Sequence, residues 1–217
     1  MTVTEIIPRK SKGMKKRTHL LVTRHIARNL GVSKFNRIWL YFGVVFPDLT
    51  PLCLFRPHMY STRLRGIISQ FNSLDLSSRD WKFYFKLGYV SHYLADFFTA
   101  PHNRVGIKGF CFNHRNYEDD LDLFFRDNLP SFNLYTHDNI LSDNYFDNFP
   151  CDDLSLRIDY FSDYILDFYV YLTELHKRYL DQDSCLSTDF EYICIIVYKV
   201  LIFCCSVSNT DVGEQTW

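Results

Sequence analysis

Five side chains that can bind a divalent metal ion lie within 27 residues of this 217-residue chain. They follow the pattern H-x3-D-x5-H-x11-H-x3-E and are His92, Asp96, His102, His114 and Glu118. Residues four apart on a helix project from the same face, so the two members of each HxxxD or HxxxE pair can reach one ion. Imidazole nitrogens and carboxylate oxygens are ligands that Zn²⁺ commonly takes from proteins. The spacing therefore predicts a zinc centre built on neighbouring helices.

A single HxxxD or HxxxE pair is weak evidence, since a chain with eight histidines and 25 acidic residues contains such pairs by chance. The combined pattern is more specific, and its neighbours Tyr93, Leu94 and Phe97 are apolar. Polar groups in such a setting lie at a core boundary, where burial without a compensating cation costs several kcal/mol. The alternative is a set of core histidines and helix caps satisfied by hydrogen bonds. Metal binding is the favoured interpretation.

The elements that must position these residues are predicted to be helices of one all-α domain. Eight glycines and seven prolines are few for a sandwich or barrel, and no GxGxxG or P-loop motif occurs. Cap, stop and periodicity signals predict helices at 18–30, 33–46, 61–71, 79–99, 113–128, 154–180 and 188–206, with a loop at 130–150. The predicted division is a basic arm at 1–17, a helical domain at 18–207 and a tail at 208–217.

The charge is unevenly distributed along the chain. Residues 1–65 hold 13 Lys and Arg against two acids, and residues 66–217 hold 11 against 23. A basic first third favours an anionic partner such as a phosphate-bearing substrate or a lipid surface, although a mixed-charge exterior is the simpler reading.

The cysteines and the apolar runs predict a cytoplasmic protein. The seven cysteines form no CxxC pair, which is typical of a reducing compartment. No signal-peptide pattern is present. The most apolar run, 193–207, is interrupted by Lys199 and is shorter than the roughly 20 residues of a membrane span. We expect a buried helix there and no transmembrane segment.

The segment LGYVSHYLADFFTAPHN, residues 87–103, resembles the core of the bacterial zinc-dependent phospholipase C family when taken together with His114 and Glu118. That family shares its fold with single-strand-specific zinc nucleases and is often secreted. The motifs THLLVT at 18–23 and FPD at 46–48 resemble two upstream landmarks of the family. The similarity covers residues 17–128, and it implies a multi-helix domain of the phospholipase C and zinc nuclease type.

The resemblance implies two zinc ions and allows a third. Each of the first two would take three side chains: His58, His92 and Asp96 for one, and His102, His114 and Glu118 for the other. His19 would bind the third ion and share Asp96 with the first. In the secreted enzymes the third ion also takes the amine and carbonyl of an N-terminal Trp, and this chain has no Trp near its start.

The resemblance also implies that Asp48 is the general base beside the metals. Each upstream residue has a simpler alternative. Asp48 follows a proline and can cap a turn, His58 can be a solvent-exposed loop residue, and His19 can be a core histidine with one hydrogen bond. The remaining histidines, His25, His137 and His176, are predicted to lie on the surface.

The expected reaction is hydrolysis of a phosphodiester. Zinc lowers the pKa of a bound water toward about 7 and binds phosphoryl oxygens. With a phospholipid substrate, a metal-activated water that Asp48 orients or deprotonates would release diacylglycerol and a phosphorylated headgroup. A nuclease or other phosphodiesterase on the same scaffold is an alternative, as is a non-catalytic helical module that metal stabilises. Peripheral contact with a membrane is expected, and nucleic acid is the less favoured partner.

Overall fold

Helices provide the regular secondary structure of the described parts of this chain. The computed structural model describes residues 16–50, 58–103, 113–132, 161–183 and 185–205, without the side chains of 113–115 and 161–167. The described residues contain no strand, which confirms the all-α prediction. A 3-10 turn at Leu129–Ser131 follows the sixth of eight α-helices: α1 Lys16–Asn29, α2 Lys34–Leu49, α3 Tyr60–Asn72, α4 Trp81–Asp96, α5 Ala100–Asn103, α6 Asn113–Asn128, α7 Phe161–Leu180 and α8 Leu186–Cys205.

The boundary between α1 and α2 follows the predicted signals. Gly31 adopts a positive φ of 70°, which only glycine reaches without strain, and it separates the two helices. The side chain of Ser33 then caps α2 by accepting a hydrogen bond from the Asn36 amide at 3.3 Å. The predicted end of α2 at Phe46 is wrong, because the helix continues through Pro47 to Leu49. Pro47 lies in the last turn, where burying it offsets one missing backbone hydrogen bond.

The ends of α4 also differ from the prediction. The helix begins after Asp80, whose carboxylate accepts hydrogen bonds from the Lys82 and Phe83 amides at 2.9 and 3.0 Å. A carboxylate satisfies these free amides and interacts favourably with the helix dipole, so Asp80 caps α4 and the helix begins two residues after the predicted start at 79. The helix ends at Asp96, and residues 97–99 continue as tight turns into α5. His102 therefore lies on a separate short helix.

Two glycines allow α2 and α4 to pack with their backbones in contact. A Cβ added to Gly43 would lie 2.0 Å from the Phe85 carbonyl oxygen, and one added to Gly88 would lie 2.1 Å from the Leu40 carbonyl oxygen. No side chain fits at either position. This close crossing brings the last turns of α2 and α4 together.

The core extends from α4 to the C-terminal helix α8. Most of α8 is buried, including Ile193, Ile196 and Leu201, and this confirms the predicted buried helix. Leu94 and Phe98 contribute fully buried side chains to the same core from α4 and the turn that follows it. Within the described residues, none of the helices combines the length and the apolar character needed to cross a membrane.

We predict that Gly43→Ala and Gly88→Ala each lower the free energy of unfolding by about 1–3 kcal/mol, because the new methyl group would displace a backbone carbonyl. Chemical denaturation followed by circular dichroism measures this. Gly66→Ala in α3 is the matched control, since a Cβ there meets no atom within 4 Å. It should leave stability unchanged or raise it by up to about 1 kcal/mol. Wild-type stability of Gly88→Ala would contradict the close crossing.

Candidate metal centre

Side chains from five successive elements, α1 to α5, converge at the ends of α2 and α4. His92 and Asp96 lie on the last two turns of α4, and His58 lies two residues before the first residue of α3. The other described candidates are buried as well. They are His19 on α1, Asp48 on α2, His102 on α5 and Glu118 on α6.

Three ligand atoms form a compact triangle within this cluster. The distance from His58 Nδ1 to Asp96 Oδ2 is 2.8 Å, that from His92 Nε2 to His58 Nδ1 is 3.3 Å, and that from His92 Nε2 to Asp96 Oδ2 is 3.3 Å. Donor atoms on a tetrahedral zinc ion, bound at about 2.0–2.2 Å, are separated by roughly 3.3 Å. The triangle has the dimensions of three zinc ligands, and these residues are the first predicted set.

The orientation of His92 is set by α2. Its Nδ1–H donates a hydrogen bond to the Val44 carbonyl at 2.8 Å, which leaves Nε2 directed at Asp96. Metal-binding histidines usually hold their second ring nitrogen in such a bond, because it selects the tautomer with a free ligand nitrogen. The close crossing of the two helices therefore fixes the orientation of the His92 ring.

A second group surrounds the other side of His92. The imidazole rings of His19 and His92 stack with their centroids 3.9 Å apart, and His19 Nε2 lies 3.2 Å from Asp96 Oδ1. Asp48 Oδ1 lies 4.0 Å from His92 Nε2. Together, His19, Asp48 and His92 have the mutual distances of a metal-binding group. Sequence reasoning assigned Asp48 only as a base, and the structure also places it at ligand distance from His19 and His92.

Several buried polar atoms of the cluster have no hydrogen-bond partner among the described residues. They are both ring nitrogens of His19, Nε2 of His58 and Oδ1 of Asp96. Leaving such atoms unsatisfied costs about 1–3 kcal/mol each. A metal ion beside His19 Nε2 and Asp96 Oδ1, which lie 3.2 Å apart, would satisfy both atoms, and imidazole nitrogen with carboxylate oxygen is a donor set that fits zinc.

The electrostatics of the cluster favour a bound cation. Burial opposes ionisation of Asp96, yet the neighbouring imidazoles of His102, His92 and His19 hold its pKa well below the usual range. Burial lowers the pKa of His92. An ionised carboxylate beside a neutral imidazole is the protonation state that metal binding requires.

The pKa values of Asp48 and His58 are shifted by burial and by the neighbouring charged groups of the cluster. Burial raises the pKa of Asp48 to about 6, although the nearby imidazoles oppose this shift. Burial alone would lower the pKa of His58, but the hydrogen bond and negative charge of Asp96 raise it. As the pH rises, Asp96 therefore loses its proton before Asp48 does.

The second predicted set is placed only in part. His102 Nε2 lies 3.8 Å from Asp96 Oδ1, and Glu118 is buried on α6. The backbone of His114 belongs to the first turn of α6, and its side chain is outside the described part of the chain. The joint site of His102, His114 and Glu118 remains a prediction.

A second layer of residues holds the turn that carries His102. The Asn103 side-chain amide donates to the carbonyls of Phe97 and Thr99, both at 2.9 Å. His176 on α7 in turn donates to Asn103 Oδ1 at 2.7 Å and stacks on Tyr60 at 3.5 Å. The prediction that His176 lies on the surface is wrong, since it is 5% exposed. Nothing in the local sequence distinguishes it from an exposed histidine.

Asp189 on α8 supports the same turn from the opposite side. Its Oδ2 accepts hydrogen bonds from the Ala100 amide at 2.9 Å and the Tyr117 hydroxyl at 2.8 Å, and its Oδ1 accepts from the Tyr179 hydroxyl at 2.7 Å. The carboxylate therefore joins α8 to α5, α6 and α7. Sequence reasoning missed it, because its three partners lie at least ten positions away.

The other two histidines predicted to lie on the surface are His25 and His137. His25 is half-buried on α1 and contacts Asn29, away from the cluster. His137 lies outside the described residues.

The comparison with protein families agrees with this arrangement. The family model described as zinc dependent phospholipase C matches residues 18–183. The chain therefore belongs to the zinc-dependent phospholipase C family. No curated protein and no solved structure gives a match. The match includes every predicted site residue and ends before Asp189.

We predict that Asp189→Asn changes how stability depends on pH. Burial raises the pKa of Asp189 to about 6 from its ordinary 3.8, so the folded chain holds this proton at a higher pH than the unfolded chain does. Raising the pH from 4 to 7 then lowers the free energy of unfolding of the wild type by up to about 3 kcal/mol through this group. The variant has an uncharged amide there and does not show this decrease. Relative to wild type, Asp189→Asn should therefore gain stability as the pH rises.

Denaturant unfolding of both proteins at pH 4, 5, 6 and 7 measures this difference. Subtracting the wild-type free energy of unfolding from that of the variant at each pH removes the contributions that both proteins share. A difference that stays constant with pH would contradict the burial of an ionisable Asp189.

Proposed function

We propose that this chain is a zinc-dependent phosphodiester hydrolase that cleaves a phospholipid to diacylglycerol and a phosphorylated headgroup. Membership of the zinc-dependent phospholipase C family supports phosphodiester or phospholipid hydrolysis in general. The triangle of His58, His92 and Asp96 is the observation that carries the proposal, because a buried imidazole and carboxylate set of these dimensions fits zinc.

Each metal-binding group has its own candidate ligands. His58, His92 and Asp96 would hold one zinc ion, and His102, His114 and Glu118 a second. His19 would hold a third together with Asp96, whose Oδ1 faces it at 3.2 Å. Bound zinc lowers the pKa of a coordinated water and stabilises the charge of a phosphoryl group.

Asp48 would orient and deprotonate the attacking water. Its buried carboxylate ends α2 and lies beside the Nε2 atom of His92. An ionised carboxylate only accepts hydrogen bonds, so it can hold a water through a donated O–H and take that proton as the phosphodiester bond breaks. The proton would then pass to the leaving alkoxide of diacylglycerol. No covalent enzyme intermediate is needed.

If the cluster binds zinc as proposed, the purified protein contains zinc. We expect at least two zinc ions per chain by mass spectrometry of the purified protein, and the loss of at least one in His92→Ala. His25→Ala is the matched control, because His25 lies on α1 outside the cluster and contacts Asn29. It should keep the wild-type zinc content. Zinc near zero in the wild type would overturn the site assignment.

The role of Asp48 predicts separate effects on activity and metal. Asp48→Asn should lower turnover about 10²–10⁴-fold, the usual contribution of a general base, with zinc content unchanged. Turnover is measured on a short-chain phosphatidylcholine dissolved as monomers. Asp120→Asn, an exposed acid on α6, is the control and should retain activity.

Three outcomes would contradict these assignments. Joint loss of zinc and activity in Asp48→Asn would make Asp48 a ligand, consistent with its place in the group with His19 and His92. Turnover of a single-stranded oligonucleotide without turnover of phospholipid would identify a nuclease on the same scaffold. Wild-type protein that binds zinc and cleaves neither substrate would favour a metal-stabilised helical module.

A further inference from the structure

The helix that carries Asp48 is apolar on two opposite faces. One face packs against α4 and is buried at Leu40, Gly43, Val44 and Pro47. The other face carries apolar side chains at helical spacing that remain 44–63% exposed. These form the outer stripe: Phe35, Ile38, Phe42 and Leu49. A helix apolar on both sides normally has a partner on each, so the outer stripe is a surface that meets something.

Aromatic rings widen this stripe toward α4. Trp81, which is 45% exposed, packs against Trp39 with ring centroids 4.9 Å apart. Phe42 packs against Phe46 and Phe85 at 5.8 and 5.6 Å. The result is a continuous patch of large apolar side chains across two helices. Tryptophan and phenylalanine on such a face are typical of helices that lie in a membrane interface.

Most of the charges around the patch are basic, and the exposed acid beside Trp81 is Asp80, which caps α4. Lys34 and Arg37 lie on α2, and Lys82 and Lys86 lie on α4, with Lys82 Nζ 5.7 Å from the Trp81 ring centroid. The acids within these two helices are Asp48 and Asp96, and both are buried in the cluster. Exposed lysines beside exposed aromatics are complementary to an acidic lipid bilayer, whose headgroups are anionic and whose acyl chains are apolar.

We propose that the outer stripe of α2 docks on an anionic phospholipid bilayer, with α2 lying in the plane of the interface. This inference rests on the proposed function, since it names the form in which the phospholipid substrate is met. A second copy of the chain is a poorer occupant, because a symmetric contact through this face would oppose Lys34 and Lys82 to like charges. No described helix spans a membrane, so the contact would be peripheral.

In this orientation the metal cluster lies close to the lipid headgroups. Asp48 and Leu49 are neighbours in the last turn of α2, with Leu49 at one end of the outer stripe and Asp48 in the metal cluster. Because both faces belong to one rigid helix, contact of the stripe with lipid brings the cluster within a helix diameter of the headgroups, about 10–12 Å.

Binding to vesicles of defined composition tests the proposal. Flotation should show that the wild-type protein binds phosphatidylcholine vesicles containing phosphatidylglycerol at least ~10-fold more tightly than vesicles of phosphatidylcholine alone. The double variant Phe35→Ser with Ile38→Ser should lose binding by at least ~10-fold, since each exposed apolar side chain contributes through burial. High salt should weaken binding of the wild type.

Two controls separate the stripe from general surface hydrophobicity. Leu123→Ser on α6 and Val170→Ser on α7 remove apolar side chains of similar exposure, 53% and 48%, outside the stripe. Both should bind vesicles like the wild type. Absence of wild-type binding, or equal losses in the controls, would overturn the proposal. It would also be overturned if the wild type were a dimer that the double variant converts to a monomer without change in vesicle binding.

Turnover of a monomeric short-chain phospholipid distinguishes this inference from the proposed function. The double variant should turn over that dissolved substrate at the wild-type rate, because neither position lies in the cluster. Stripe-dependent vesicle binding without any turnover would support docking and contradict the proposed hydrolase. Turnover without vesicle binding would overturn docking and leave the hydrolase in place.

Discussion

The charge of one buried carboxylate is the constraint on which the cluster depends. Asp96 is fully buried at the C-terminal end of α4, where the helix dipole adds further negative charge. An uncompensated carboxylate in such a position costs several kcal/mol. The imidazoles of His19, His58 and His92 lie within 3.3 Å of its oxygens, and a metal ion would complete the compensation. The surrounding helices bring these residues together.

A few close contacts between helices hold the imidazoles near the Asp96 carboxylate. Gly43 and Gly88 let α2 touch α4, so that the Val44 carbonyl can orient His92 and the last turn of α2 can place Asp48 beside it. A hydrogen bond from the Thr18 hydroxyl to Asp122 at 3.1 Å ties α1 to α6. Asp189 on α8 likewise accepts a hydrogen bond from the Ala100 amide and so holds the segment after α4. Positional precision at the cluster thus comes from packing and hydrogen bonds outside it.

Local signals in the sequence predicted much of this fold and fail at identifiable points. Capping, periodicity and apolar runs indicated the longer described helices, because these features act within a few residues, but they missed the short helix α5. The end of α2 was wrong because burial of Pro47 outweighs the local penalty of proline. His176 was misplaced because its partners, Tyr60 and Asn103, come from distant parts of the chain. Contacts between remote residues leave no local pattern.

The sequence by itself determined the chemistry available to this protein, since residue types and helical spacing are properties of the chain and identified the candidate imidazole and carboxylate ligands. Only the tertiary structure decided which of them share an ion-sized space, that Asp48 belongs with His19 and His92, and that α2 exposes a second apolar face. The physical reason is that ligand geometry depends on distances between helices. Those distances depend on contacts such as Gly43 with Phe85, which join residues far apart in the chain.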